Sequence, residues 1–435
     1  MNKTLAVREA PAAYRVVPDA PRVRPGYKQT EVGVIPEDWE VTTVGHEFLV
    51  QLGKMLDSEK NVGVPRPYLG NRAVQWGRIE VAGICEVRMT PSDLLCFRLR
   101  DGDLLVCEGG EIGRAAIWKQ PIEECYFQKA LHRLRPTRGY NVSLMLNVLQ
   151  RLASTRFLLN FVTQTSIAHL PKDKFVTVPL PLPPTKAEQQ AIAEALSDAD
   201  ALIESLDQLI AKKRHLKQGA MQELLTGKKR LPEFSGEWEA RTIDSFSAFV
   251  TKGATPTTYG FNWEDDGVLF LRSECVSADG LDLTQSMFIT EAAHRALNRG
   301  EVRDGDLLMT ITGNVGRVVR LPADFGLANI NQHIARIRIN ATDVSSDFVF
   351  YFLSQANVRA KYALIMTGQA YPQISLKQVR ETLVPLPSFQ EQSAIATILS
   401  DMDTEIAELE ARLTKTRALK QGMMHKLLTG AIRLI

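Results

Sequence analysis

Carboxylates flanking a glycine occur twice in this chain of 435 residues, in Arg100-Asp-Gly-Asp-Leu-Leu105 and again verbatim in Arg303-Asp-Gly-Asp-Leu-Leu308. Asp101 with Asp103, and Asp304 with Asp306, are the residue types that ligate a hard divalent cation. The same text also spells a solvated turn, since Asp-Gly leading into an apolar run is hairpin chemistry, and the spacing favours the turn. A second pair of stretches follows: Gly110 and Gly113 before Arg114, and Gly313 and Gly316 before Arg317. Such glycines let backbone N–H groups close on a phosphate while the arginine supplies a cation, although a plain tight turn would use the same glycines. Other reaction chemistry is missing: the sequence has no G-x-x-x-x-G-K-[ST] loop, no H-E-x-x-H and no G-x-S-x-G. His132 and His169 have no histidine counterparts in the second half, which argues against a duplicated active site.

The elements that must position these residues are set by a duplication. Glu188–Leu231 recurs 203 residues later as Glu391–Leu434, with 24 of 44 positions identical. Such agreement must be read before any local feature. Each copy reads as one long helix. Apolar side chains at Ile192, Leu196, Ala199, Ile203, Leu206, Ile210, Leu216, Ala220 and Leu224 form a narrow seam. Ile395, Leu399, Met402, Ile406, Leu409, Leu413, Leu419, Met423 and Leu427 repeat it. A narrow apolar stripe belongs to a helix packed on a helix. Roughly 40 residues at 1.5 Å each give a rod of about 60 Å. Gly227 and Gly430 are placed to end the rods. Two separate amphipathic helices on two cores would satisfy the same pattern, but the shared seam favours rods that pack on each other.

Length and repeat together imply two globular units. A net charge of +2 with 23% charged residues neither demands nor excludes a nucleic acid, because a basic face fits inside a balanced total. Five cysteines with no C-x-x-C pair suit reduced thiols in the cytoplasm, and a metal site from Cys85, Cys96 and Cys107 lacks close ligand pairs. No apolar run reaches membrane-spanning length, so no membrane partner is expected.

In chain order, a flexible N-terminal arm is expected over 1–25, a first domain over 26–185, a first spacer helix over 186–230, a second domain over 231–388 and a second spacer helix over 389–435. Trp39 and Trp238 open the two domains. Helical spacing covers Val142 to Phe161 after the cap candidate Asn141, and Ser346 to Ala363 in the second copy. Elsewhere the copies diverge: Glu108-Gly-Gly-Glu faces Ile311-Thr-Gly-Asn, and Gln75-Trp-Gly-Arg78 faces Ser277-Ala-Asp-Gly280. A kept scaffold with rewritten loops implies two related but distinct ligands.

This pattern resembles the specificity subunits of type I restriction–modification systems over nearly everything from Val32 onward. The carriers are Pro36-Glu-Asp-Trp39-Glu, the paired Arg-Asp-Gly-Asp-Leu-Leu motifs, Gly113-Arg114 with Gly316-Arg317, and Pro181-Leu-Pro183 before Glu188-Gln-Gln-Ala-Ile192. Pro385-Leu-Pro387 before Gln390-Glu-Gln392 and the closing Leu-Leu-Thr-Gly of each rod complete them. The 1–25 arm departs from the family pattern.

The resemblance implies an α/β (α+β) fold with an internal repeat: two similar target recognition domains separated by two long helices forming an antiparallel coiled coil. It implies a non-catalytic, cytoplasmic subunit that reads a split double-stranded DNA site. It further implies docking of two methyltransferase subunits and of restriction/motor subunits. S-adenosylmethionine, ATP and Mg would then belong to those partners, with no cofactor in this chain. A fused restriction–methylation enzyme and a protein-binding adaptor are the alternatives, the first lacking an Asn/Asp-Pro-Pro-Tyr/Phe motif. DNA contacts are expected from Tyr68, Asn71, Arg72, Trp76, Arg78, Arg114, Gln164 and Thr165. In the second domain they are expected from Arg272, Ser273, Asn314, Arg317, Gln369, Tyr371 and Gln373. Arginine and amide side chains are the ones able to bond base edges bidentately.

Overall fold

A computed structural model describes residues 23–57, 61–164, 168–278, 280–368 and 372–434. The chain divides into two units, and the division cuts through both long helices. Described residues up to Ser205 join Leu413 onward in the first unit, and Leu206–Arg412 make the second. Most of the expected arm, residues 1–22, lies outside the described residues.

Each unit is built on a four-stranded antiparallel sheet. In the first, Leu104–Cys107 lies between Ala115–Ile117 and Leu131–Pro136, and Phe48–Leu52 completes the order. In the second, Leu307–Thr310 lies between Val318–Arg320 and Ile334–Ile339, with Ser247–Lys252 outermost. Leu104-Leu-Val-Cys107 is buried at every position, which suits a strand covered on both faces. Leu104 and Val106 enter a core with the helix Val142–Ser154, while Leu105 and Cys107 face a smaller one with Leu69 and Trp118. A second sheet follows in each unit. Val64–Leu69 pairs antiparallel with Cys85–Met89 and parallel with Tyr126–Phe127; Val268–Leu271 pairs the same two ways with Met287–Ile289 and Ala328–Ile330.

The repeated hexapeptide is a turn, as expected, with Asp101 and Asp304 exposed, but its second Asp is not solvated. Asp103 and Asp306 are 2% and 1% exposed. Arg135 grips Asp103 bidentately at 2.6 and 2.8 Å, and Arg338 grips Asp306 at 2.7 and 2.7 Å. The same carboxylates accept the N–H of Arg100 and of Arg303, each at 2.8 Å. The second Asp is therefore consumed in stapling its turn to the neighbouring strand. Gly102 and Gly305 take φ of 83° and 76°, the left-handed region that favours glycine.

Asn141 caps its helix by accepting from the Leu144 N–H at 2.9 Å. The first expected helix ends early and the second is interrupted. Val142–Ser154 stops before Arg156, whose φ is 58°, and a short 3-10 turn, Phe157–Phe161, follows. Its counterpart breaks into Ser346–Leu353 and Ala356–Ile365, with Gln355 in extended backbone between them. Apolar spacing runs on through the break and hides it.

The rods span Lys186–Leu224 and Phe389–Leu427. Within each unit the start of one runs antiparallel to the end of the other. In the first unit Ile192 and Leu196 share a core with Met424, Leu427 and Leu428, and Lys420 pairs with Asp200 at 2.6 Å. In the second, Leu224 and Leu225 share a core with Ile395 and Leu399, and Lys217 pairs with Asp403. One seam residue per rod is corrected: Leu216 and Leu419 point outward, 51% and 62% exposed. The three–four alternation instead continues through Lys213 and Lys217, and through Thr416 and Lys420, the last two of these buried. Lysine stems can cover apolar surface while the ammonium reaches an acid, so polar residues keep the phase.

The family-like text at the rod ends forms a clamp that occurs twice. Arg433 binds buried Glu188 and also Asp38, at 3.0 Å on each carboxylate oxygen, while its guanidinium lies 5.8 Å from the Trp39 ring centroid. Arg230 binds buried Glu391 at 2.6 and 2.7 Å and lies 5.7 Å from the Trp238 ring centroid. Gln189 and Gln392 next door accept the backbone N–H of Asn141 and Ser345, tying each rod to its domain helix. In the first unit the Tyr27 hydroxyl also donates to the Gly430 carbonyl at 2.8 Å, seating the last turn on the opening strands.

Candidate nucleic-acid interface

Three loops of the first unit meet around Gly109. The Asn71 amide donates to the Gly109 carbonyl at 2.9 Å, and Gly109 bridges to His169 beside the short pair Thr163–Gln164 and Ala168–His169. Arg114 donates to the Asn71 carbonyl at 3.0 Å and pairs with Glu111 at 3.4 Å. Glu111 also accepts the Trp76 indole N–H at 2.5 Å. Asn71, Trp76 and Arg114 thus hold one another, and Arg114 is only 16% exposed. Its charge is spent inside the loop. Tyr68 sits in the strand behind, half-buried, its hydroxyl pKa raised mainly by burial. Arg72 is exposed, and Arg78 is exposed and paired with Glu80 at 2.9 Å. Gln164 ends its short strand, and Thr165 lies outside the described residues.

The second unit brings matching loops to the matching place. Gly313 donates to the Pro372 carbonyl at 2.9 Å, Ile374 to the Ile311 carbonyl at 3.0 Å, and Gln373 bridges to both Thr312 and Thr367. Arg272 is the N-cap of a 3-10 turn, Ser273–Cys275, where the first unit has Gly70 before Asn71–Ala73. Arg272 and Arg72 are therefore not equivalent positions. Arg272 donates to the Gln285 carbonyl at 3.1 Å, and Ser273 to Glu274 at 3.2 Å. Asn314 is exposed at the position of Glu111. Gln369 and Tyr371 lie outside the described residues.

Two further residues matter here that the motifs do not single out. Glu111 decides the fate of Arg114, and its replacement by Asn314 in the second copy is the signal the sequence offers. Arg359 lies over the second Gly-Arg loop: a Cβ on Gly316 would meet its Cγ at 3.1 Å, whereas in the first unit Leu158 covers Gly113. Nothing in the local text of Arg359 marks it. His132 is buried, bonds the Leu170 carbonyl at 2.9 Å, and is held neutral by burial with its pKa pushed down to about 4. Among the described residues no cluster of three or more His, Cys, Asp or Glu could hold a metal, and no helix is long and apolar enough to cross a membrane.

Comparison with known proteins agrees with this geometry. The chain is 27% identical over 431 residues to a Methanocaldococcus jannaschii protein provisionally named the type I restriction enzyme MjaX specificity subunit, covering 94% of this chain and 96% of that one. It is 24% identical to the MjaVIII specificity subunit of the same organism, over 92% and 94% of the two chains. The crystal structure of a type I restriction–modification S subunit from M. genitalium shares the fold, with a TM-score of 0.57 at 17% identity over 89% of this chain and 96% of that one. Residues 36–212 and 235–417, one stretch per repeat, both match the type I restriction modification DNA specificity domain, and the chain belongs to that family.

Proposed function

We propose that this chain reads a bipartite double-stranded DNA target, one half-site per repeat, and docks two methyltransferase subunits and the restriction/motor subunits of a type I complex. It contributes recognition and no catalysis; S-adenosylmethionine, ATP and Mg act on those partners. The observation that carries the reading is the contrast between scaffold and loops. The two buried Asp–Arg staples and the two Glu–Arg clamps are kept in both copies, whereas the loops above the sheets exchange Trp76 for Ala278 and Glu111 for Asn314. Base and phosphate contacts come from Tyr68, Arg72, Arg78, Gln164 and Thr165 in the first copy, with Asn71, Trp76 and Arg114 shaping the loop. In the second they come from Arg272, Ser273, Asn314, Arg317, Gln369, Tyr371 and Gln373.

The test is binding-site selection from a random duplex pool by the full chain reconstituted with its methyltransferase partners. A split consensus should emerge. Arg72→Ala should relax one half of it and Arg272→Ala the other, each by about 1–3 kcal/mol where a bidentate base contact is lost. A consensus with one half only, or selection unchanged by both variants, would overturn the assignment of one half-site to each repeat.

A further inference from the structure

The second unit holds a cleft of about 730 Å³ whose lining includes Arg317, Arg359 and Tyr351. Its charges divide unevenly. Arg320 pairs with Asp347 at 2.8 Å, Arg214 with Glu410 at 2.6 Å, and Lys217 with Asp403. Tyr351 donates its hydroxyl to the other oxygen of Asp403 at 2.9 Å, so that carboxylate is satisfied as well. Every acid among the described residues that line the cleft is taken. Arg317 and Arg359 remain, with no acidic partner among the described residues.

The two arginines are neighbours, because the Arg359 stem lies over Gly316, the residue before Arg317. Two like charges side by side raise each other's energy, and an anion seated between them removes that cost. Guanidinium forks match the oxygens of a phosphate. The cleft is also too large for one buried counter-ion, and its lining extends to Ser277 and Gly280. Gly313 and Asn314, in the same loop as Arg317, are exposed, with nothing within 4 Å of a Cβ added at Gly313.

We infer that Arg317 and Arg359 form a backbone-phosphate seat for duplex DNA that exists in the second repeat alone. The inference rests on the DNA-reading function proposed above and deepens it. Among the described residues the first repeat has no equivalent seat: Arg114 is bonded to Glu111 and the Asn71 carbonyl, and apolar Leu158 stands over the loop where Arg359 would be. Electrostatic attachment is therefore lopsided. One half-site is held by phosphate contacts that the other lacks.

The experiment measures the affinity of the full chain for labelled random-sequence duplex DNA from low to moderate salt, for the unaltered protein and for Arg317→Gln, Arg359→Gln and Arg317→Lys. Each lost phosphate contact lowers the slope of log K against log salt by about 0.9, or about threefold in affinity over a fourfold salt range. Arg317→Gln and Arg359→Gln should each show that loss, and Arg317→Lys should keep most of the slope because it keeps the charge. Unchanged slopes in both Gln variants, with the unaltered chain binding normally, overturn the seat and leave the DNA-reading function standing. Unchanged slopes joined to lost retention of a methyltransferase partner overturn it in favour of a protein contact. If the unaltered chain binds duplex with no salt dependence, the function and the seat fall together.

Discussion

The loop ending in Gly113-Arg114 and the loop ending in Gly316-Arg317 leave equivalent edges of equivalent four-stranded sheets, one in each unit, with the same backbone closure. The Cys107 N–H donates to the Arg114 carbonyl at 2.7 Å, and the Thr310 N–H to the Arg317 carbonyl at 2.9 Å. Their arginines nonetheless end in different states. Arg114 is held by Glu111, which also accepts from Trp76; Arg317 has Asn314 where the first loop has Glu111 and has no acidic partner among the described residues. A motif can be retained for its backbone while two substitutions around it decide whether its side chain is structural or available. Equal text does not mean equal role.

The largest expected effect tests what the repeats share. Asp103→Ala and Asp306→Ala each strand a partly buried arginine and leave the N–H that opens the turn without its acceptor. Each should cost about 3–5 kcal/mol by denaturant unfolding. Similar losses in the two variants would show one scaffold used twice. A cost under about 1 kcal/mol in either would show that this unit does not depend on its staple.

Next comes a feature of the first unit alone. His132 is buried neutral where the second copy has Ala335. Its folded pKa, about 4, lies below the ordinary 6.5, so protonation favours the unfolded chain. The neutral form's advantage is complete above pH 6.5 and is lost as pH falls from there toward 4, a difference of roughly 3 kcal/mol for so buried a group. Unfolding of His132→Phe followed over the same range should have a correspondingly shallower pH dependence. Parallel curves for the two proteins would assign the acid sensitivity elsewhere, to carboxylates common to both units.

The smallest effect is the most direct on the comparison. Glu111→Asn gives the first loop the residue of the second and releases one oxygen-bound grip on Arg114. Glu111 is 55% exposed, so stability should change by no more than about 1 kcal/mol. The salt slope for DNA binding should rise by about 0.9 if the freed arginine finds a phosphate. The reverse change, Asn314→Glu, should cage Arg317 and lower the slope. If neither variant moves it, the acid at this position is not what separates the two loops.

Much of the architecture is legible in the sequence because it is written there twice. The offset of 203 residues exposes the rods, the paired hexapeptides and the matched loops from the amino-acid order alone. The departures share a physical cause: a side chain's type does not fix its environment. Apolar character puts Leu216 in the seam, but the seam phase at that turn falls on Lys213 and Lys217, whose charges reach Glu405 and Asp403. Turn residues are usually exposed, yet Arg135, 32 residues away, draws Asp103 inward. Glu111 and Arg359 stay silent in the sequence because their importance depends on which loop folds over which. That is set by long-range contacts one repeat cannot announce.

The clamp at Arg433 has a consequence for the order in which the protein is made. Leu206–Arg412, which packs as one compact unit, is a single unbroken length of chain. It has every residue it needs once Arg412 has left the ribosome. The other unit begins earlier and finishes later. Its core lacks Met424, Leu427 and Leu428, and Glu188 and Asp38 lack their cation, until the last stretch emerges. The half translated first is thus the half completed last, and through most of synthesis it leaves the apolar bed around Trp39, Ile192 and Leu196 uncovered. Nascent chains in that interval are the ones most dependent on a holdase. A ribosome that stalls before codon 424 would release a polypeptide with a finished second unit and an unfinished first.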